Sequence, residues 1–154
     1  MNRSVPAILA ALLAVAALAS PGEAHAEVTS MDAYLWQNRP VLVFAPADDH
    51  PLLAAQRTAL AGEAAGLADR EMVVIEVVGG RVTIDGQAAL GLSAEDLRRR
   101  YAVGPGESAA LLMGKDGGVK MRLDRALTPD ALYPTIDAMP MRRQEMRARN
   151  AVQD

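Results

Sequence analysis

Three short runs with no polar alternation constrain this chain most: Val41–Ala45 (VLVFA), Met72–Val78 (MVVIEVV) and Ser108–Met113 (SAALLM). A strand with water on one face alternates apolar and polar residues, whereas these runs are apolar on both parities. They therefore predict strands covered on both faces, which requires helical layers above and below one sheet. The segments between them supply those helices. Leu52–Leu67 places Leu53, Leu60, Ala64 and Leu67 at helical spacing, with a bend or break expected near Gly62 and Gly66. Ser93 is a capping residue followed by Glu95 and Asp96 in a favourable first turn. There Leu97 and Tyr101 form the apolar pair, and Arg98, Arg99 and Arg100 are expected mostly on the other faces.

The remaining signals complete the order. Gly79-Gly80, Arg81–Ile84 and Asp85-Gly86 read as a small hairpin extension, and Gly114–Gly118 (GKDGG) as a turn. Val119–Leu123 alternates, with Lys120 and Arg122 outward, as an edge strand does. Thr128-Pro129 is a cap and first-turn proline opening a helix over Asp130–Met139. Pro140 interrupts it, and residues 141–154 read as a basic, partly helical, frayed tail. Near the start, Ser30 or Thr29 caps one or two helical turns, and Trp36 is expected to anchor that segment on the core. The predicted architecture is an α/β three-layer sandwich in the order β-α-β-α-β-β-α, with a mixed four-stranded sheet and a small extra hairpin. Val41–Ala45 and Ser108–Met113 are expected in its middle.

Residues 1–26 stand apart from this pattern. Arg3 precedes the uncharged run Ala7–Ala19, Ser20-Pro21-Gly22 breaks it, and Ala24-His25-Ala26 has small residues at both positions of a cleavage site. The run is shorter than the roughly 20 residues that span a bilayer. We expect a signal peptide cut between Ala26 and Glu27, a domain over residues 27–140, and no membrane span in the mature chain. The expected location is periplasmic or secreted, and the expected partner an envelope or extracellular protein. The formal charge of −3 argues against nucleic acid, whose phosphate contacts need a basic face. No cofactor motif is present: Gly114–Gly118 lacks the pattern that cradles phosphate, and Ser93 and Ser108 lack the context of a hydrolase nucleophile.

The stretches VLVFAP, Tyr101-Ala102-Val103 and LMGKDGGV resemble the first core strand, the end of the second helix and the hairpin of thioredoxins and peroxiredoxins. The fuller pattern runs YLWQNRPVLVFAP, LAAQRTALAGEAAGLADREMVVIEVV, LRRRYAV, GKDGGVKMR and IDAMPMRR. It is similar to the peroxiredoxin-like domain of unknown function called P-DUDES, found in exported bacterial proteins and in animal sushi-repeat and matrix-associated proteins. The resemblance implies a thioredoxin-like fold with its functional turn at Ala45–His50. Relatives with thiol chemistry keep cysteine in that turn, and this chain has none anywhere. Disulfide exchange and thiol peroxidase activity are therefore chemically excluded.

What stands in that turn is Asp48-Asp49-His50. One reading makes it a metal or anion site, or a histidine base steered by an aspartate, with Arg57 facing the same cleft and Glu107 and Ser108 across it. The other makes it a helix start, with an aspartate as cap and Pro51 in the first turn. No metal site is assigned, because three consecutive side chains diverge. The arginines at 98–100, 142, 143, 147 and 149 read either as solvated helix faces or as a surface for an acidic partner or anionic lipid head groups. Met139 and Met141 flank Pro140 as a soft apolar patch. The main expectation is a redox-inactive binding module, the alternative a cysteine-independent enzyme or ligand-binding protein using Asp48, Asp49 and His50.

Overall fold

A computed structural model describes residues 28–153; the signal-type segment and the Ala26–Glu27 junction lie outside the described residues. All three uninterrupted apolar runs are strands of one mixed six-stranded sheet. The elements are β1 (Arg39–Ala45), α1 (Pro51–Leu60), α2 (Ala64–Asp69), β2 (Met72–Val78), β3 (Arg81–Ile84), β4 (Gln87–Ala88), α3 (Ala94–Arg100), β5 (Ala109–Met113), β6 (Val119–Leu123), α4 (Pro129–Asp137) and α5 (Pro140–Gln153). A 3-10 turn at Met31–Tyr34 precedes them, capped by Ser30.

The strand order is β4-β3-β2-β1-β5-β6. β1 runs parallel to β2 and antiparallel to β5, and the other neighbours are antiparallel. Four central strands with a two-strand extension on one side is the expected arrangement, and β6 is an edge as its charges indicated. Every residue of β1 is buried, and the two parities pack into different layers. Leu42 and Phe44 join Ile75, Val77, Leu97, Tyr101 and Leu111 under α3. Val41, Val43 and Ala45 join Leu53, Leu112, Leu132 and Ile136 under α1 and α4. The continuous apolar strand thus serves two cores at once.

The break expected near Gly62 is present: the Leu52–Leu67 stretch forms two helices, α1 and α2, with Gly62 between them at φ +80°. Two local expectations are corrected. Trp36 is no core anchor: it sits at φ +64° with 65% of its surface exposed, while Met31 and Tyr34 reach the core instead. Val119 is also 47% exposed, so the inward face of β6 is covered only from Met121 onward.

The largest correction concerns residues 141–153. They form a helix rather than a frayed tail: α5 begins at Pro140, and its Arg142, Glu145 and Arg149 return to the domain in ion pairs. Arg39, 1% exposed at the start of β1, meets Glu145 at 2.9 Å, and Lys115 meets the same carboxylate at 2.8 Å. Lys115 also pairs with Glu71. Arg142, 2% exposed, pairs with Asp137 at 3.1 Å and with Asp69, which also takes Arg149. Arg70 bonds Asp137 and lies over the Tyr133 ring. Burial opposes ionisation of Glu145, but Arg39 and Lys115 outweigh it and hold its carboxyl below the ordinary value. Burial likewise opposes ionisation of Asp137, and Arg70 and Arg142 outweigh it.

These depressed carboxyls set the sign of the acid response. Their contribution is present above the unfolded-state value of about 4 and is lost as pH falls through the folded values. Urea denaturation is therefore expected to give a flat stability from neutral pH to about pH 5, then a steep loss below pH 4. Glu145→Gln, which leaves Arg39 and Lys115 short of an anion, is expected to cost about 3 kcal/mol at pH 7 and to shallow that acid slope. Equal slopes for both proteins contradict this account of α5.

Candidate functional site

Three loops meet at the carboxyl end of β1, the edge where open α/β sheets place their ligands. They are the β1–α1 turn, the Gly79-Gly80 turn between β2 and β3, and residues 103–107 before β5. The last carbonyl of β1, on Ala45, accepts from the Gly79 N–H at 3.1 Å and from Arg98 Nη2 at 2.7 Å. The same guanidinium donates from Nη1 to the carbonyls of Gly104 at 2.8 Å and Glu107 at 3.2 Å. Arg98 is only 7% exposed and lies 5.7 Å from the Phe44 ring centroid. Burial pushes its guanidinium below the ordinary arginine value. Among the described residues no carboxylate pairs with it.

Arg98 was expected to face outward, and the structure buries it. The signal was in the spacing. Ala94, Leu97, Arg98 and Tyr101 lie at i, i+3, i+4 and i+7, the positions of one helical face, and all four are buried. An arginine at an apolar position is easily read as an interruption of the stripe rather than as a member of it.

The end of α3 shapes the wall beside Arg98. Val103 N–H bonds the Arg98 carbonyl at 2.9 Å and Ala102 N–H the Arg99 carbonyl at 3.3 Å, a Schellman ending. Its left-handed residue is Ala102, at φ +52°, where glycine is usual. Holding an alanine there costs on the order of 1 kcal/mol. Arg122 of β6 secures it by donating to the carbonyls of Tyr101 and Ala102. Between this ending and Gly79-Gly80 lies a groove of about 680 Å³, lined by Ala94, Arg98, Val103 and Pro105 among others.

The residues singled out in the 48–50 turn do not converge. His50, not an aspartate, caps α1: its Nδ1 accepts from Leu52 N–H at 3.2 Å, with Pro51 in the first turn. Asp48 bonds Arg81 at 2.6 Å, a contact that holds its carboxyl below the ordinary value. Asp49 is exposed. Arg57 turns instead to Glu76, bonding both its oxygens at 2.9 and 2.6 Å. The Glu107 carboxylate accepts from Gly104 N–H at 2.8 Å and braces the 104–107 turn, and Ser108 is half-buried just before β5. None of these six residues lines the groove, which is displaced from the expected cleft toward α3. Among the described residues no three His, Asp or Glu side chains are grouped to hold a metal ion, and no helix is long and apolar enough to cross a membrane.

A mixed sheet in the order above, two helical layers and a carboxyl edge without a thiol define a cysteine-free protein of thioredoxin-like fold. The family is settled by sequence: residues 30–145 match the model described as "Domain of unknown function (DUF4174)", and the chain belongs to that family. A relative is coiled-coil domain-containing protein 80 of Danio rerio, 28% identical over 130 residues. That match covers 73% of this chain but only 15% of the fish protein. Among solved structures, thioredoxin peroxidase I of Plasmodium yoelii overlays with a TM-score of 0.43 at 16% identity, covering 80% of this chain and 77% of that one.

The geometry of the 48–50 turn makes a prediction. The double variant Asp48→Ala/His50→Ala is expected to lose about 1 kcal/mol of stability, chiefly the helix cap. Its zinc and copper titrations are expected to match those of the wild type. A saturable metal isotherm present only in the wild type contradicts the capping role.

Proposed function

We propose that this chain is an exported, redox-inactive member of its family that works as a binding module in the cell envelope or outside it. The observation that carries the reading is the groove at the carboxyl edge of β1. It occupies the edge where thioredoxin-like relatives work, it has a fixed cation in its wall, and among the described residues no cysteine, serine, threonine, lysine or histidine lines it. Export is supported by the Arg3, Ala7–Ala19 and Ala24–Ala26 pattern. It is also supported by the resemblance to P-DUDES domains of exported bacterial and animal matrix-associated proteins. The fish relative is about seven times the length matched here, so its partners give no more than a direction for this one. Nucleic acid is disfavoured by the charge of −3.

The competing reading, chemistry by Asp48, Asp49 and His50, receives less support. Asp48 and Arg57 are each committed to a partner elsewhere, and His50 Nδ1 accepts from the Leu52 backbone amide as a helix cap.

Two measurements test the proposal. Mass spectrometry of the protein from its own host's envelope or medium is expected to find Glu27 at the amino terminus. A cytoplasmic chain retaining Met1 contradicts export. A photoreactive residue at Gly80, in the groove wall, is expected to cross-link a discrete envelope component in intact cells. The same probe at Asp130, exposed on α4 in the opposite layer, is expected to give none. Identical patterns from both positions contradict a binding role for the groove.

A further inference from the structure

The cations buried in this protein divide into two kinds. Arg39 and Lys115 share Glu145, Lys115 also holds Glu71, and Arg142 holds Asp69 and Asp137. Arg98 is as deeply placed, yet its three partners are backbone carbonyls. Carbonyls satisfy hydrogen bonds without neutralising charge, so Arg98 keeps a full positive charge in the wall of the groove.

We propose that the groove binds an aliphatic monocarboxylate, its carboxylate on Arg98 and its chain along the Gly79-Gly80 turn. This rests on the reading of the groove as the binding surface and names the ligand class for it.

Four observations support that class. Nε and the second Nη2 hydrogen of Arg98 have no acceptor among the described residues, and this edge of a guanidinium takes a carboxylate side-on. Arg99, the neighbouring cation on the rim, is already paired with Asp96 and Glu95, so Arg98 is the cation left for a ligand, and the Glu95 carboxylate on the same rim favours a monoanion over a dianion. Apart from the Glu95 carboxylate on the rim, the remaining walls, Ala94, Ala102, Val103 and Pro105, are small and apolar and offer a chain contact. The space above the turn is open: a side chain at Gly80 would meet nothing within 4 Å. At about 680 Å³ the groove falls within the range of small-ligand sites. Because Arg98 is held by Ala45, Gly104 and Glu107 before any ligand arrives, little ordering is needed on binding.

Titration calorimetry with octanoate and octanol, of equal chain length, separates the charge from the tail. Octanoate is expected to bind at least tenfold more tightly than octanol. Gly80→Phe, which places a ring in the open space at an unstrained backbone position, is expected to weaken octanoate at least tenfold while leaving the circular dichroism spectrum unchanged. Arg98→Gln is expected to erase the difference between the two ligands. Should that variant fail to fold, the octanoate-to-octanol ratio and Gly80→Phe decide the matter without it. Equal affinities for octanoate and octanol, unchanged octanoate affinity in Gly80→Phe, or no saturable octanoate binding overturns the proposal. So does tighter binding of a short acidic peptide than of octanoate. If octanoate fails while the position-80 cross-link persists, the ligand class falls and the binding role of the groove stands; if both fail, both fall.

Discussion

The carbonyl of Ala45 is where the fold and its surface meet. It ends a strand that is buried along its whole length, at the point where the sheet stops supplying partners, and a buried carbonyl left alone there would be costly. Gly79 and Arg98 both donate to it. Through the other end of its guanidinium Arg98 also holds Gly104 and Glu107, so one side chain ties β1, the β2–β3 turn and the approach to β5 into a rigid edge. That edge needs no cysteine to keep its shape. The same device leaves a cation without an anion, which is why we propose this edge as the binding surface.

Much of this was legible in the residues before any coordinates. Runs without alternation identified the central strands, Ser93 identified the start of α3, and the charged alternation of Val119–Leu123 identified an edge. What escaped was decided by tertiary partners. Whether Arg98 lies in or out of an apolar stripe depends on carbonyls from loops far away in sequence. Residues 141–154 read as a loose basic tail because the acids that fix Arg142 and the cations that fix Glu145 come from the α2–β2 region, β1 and the β5–β6 turn. Asp48 was plausible as a cap, but the aspartate took Arg81 and the histidine next to Pro51 took the amide. The absence of thiols, by contrast, needed no structure at all.

The two ends of the sheet contrast in their electrostatics. At the amino end of β1, Arg39, Lys115 and Arg142 are matched by Glu71, Glu145, Asp69 and Asp137, and the result closes α5 onto the domain. At the carboxyl end Arg98 is matched by dipoles alone. A chain that pairs its buried charges at one end and leaves one unpaired at the other has separated a structural end from an open one. Secretion into an oxidising compartment would permit disulfides, and this chain relies on a packed two-sided core and this charge network instead.

The central claim is that the working surface lies at Arg98 and the glycine pair, not at the aspartates and histidine that first attract attention. Amide and guanidinium NMR shifts recorded during an octanoate titration test it most directly. The account predicts saturable shifts concentrated at Gly79, Gly80, Gly104 and the Nε–H of Arg98, with Asp48, Asp49 and His50 little moved. Shifts concentrated at Asp48–His50, or spread evenly over the surface, would contradict it.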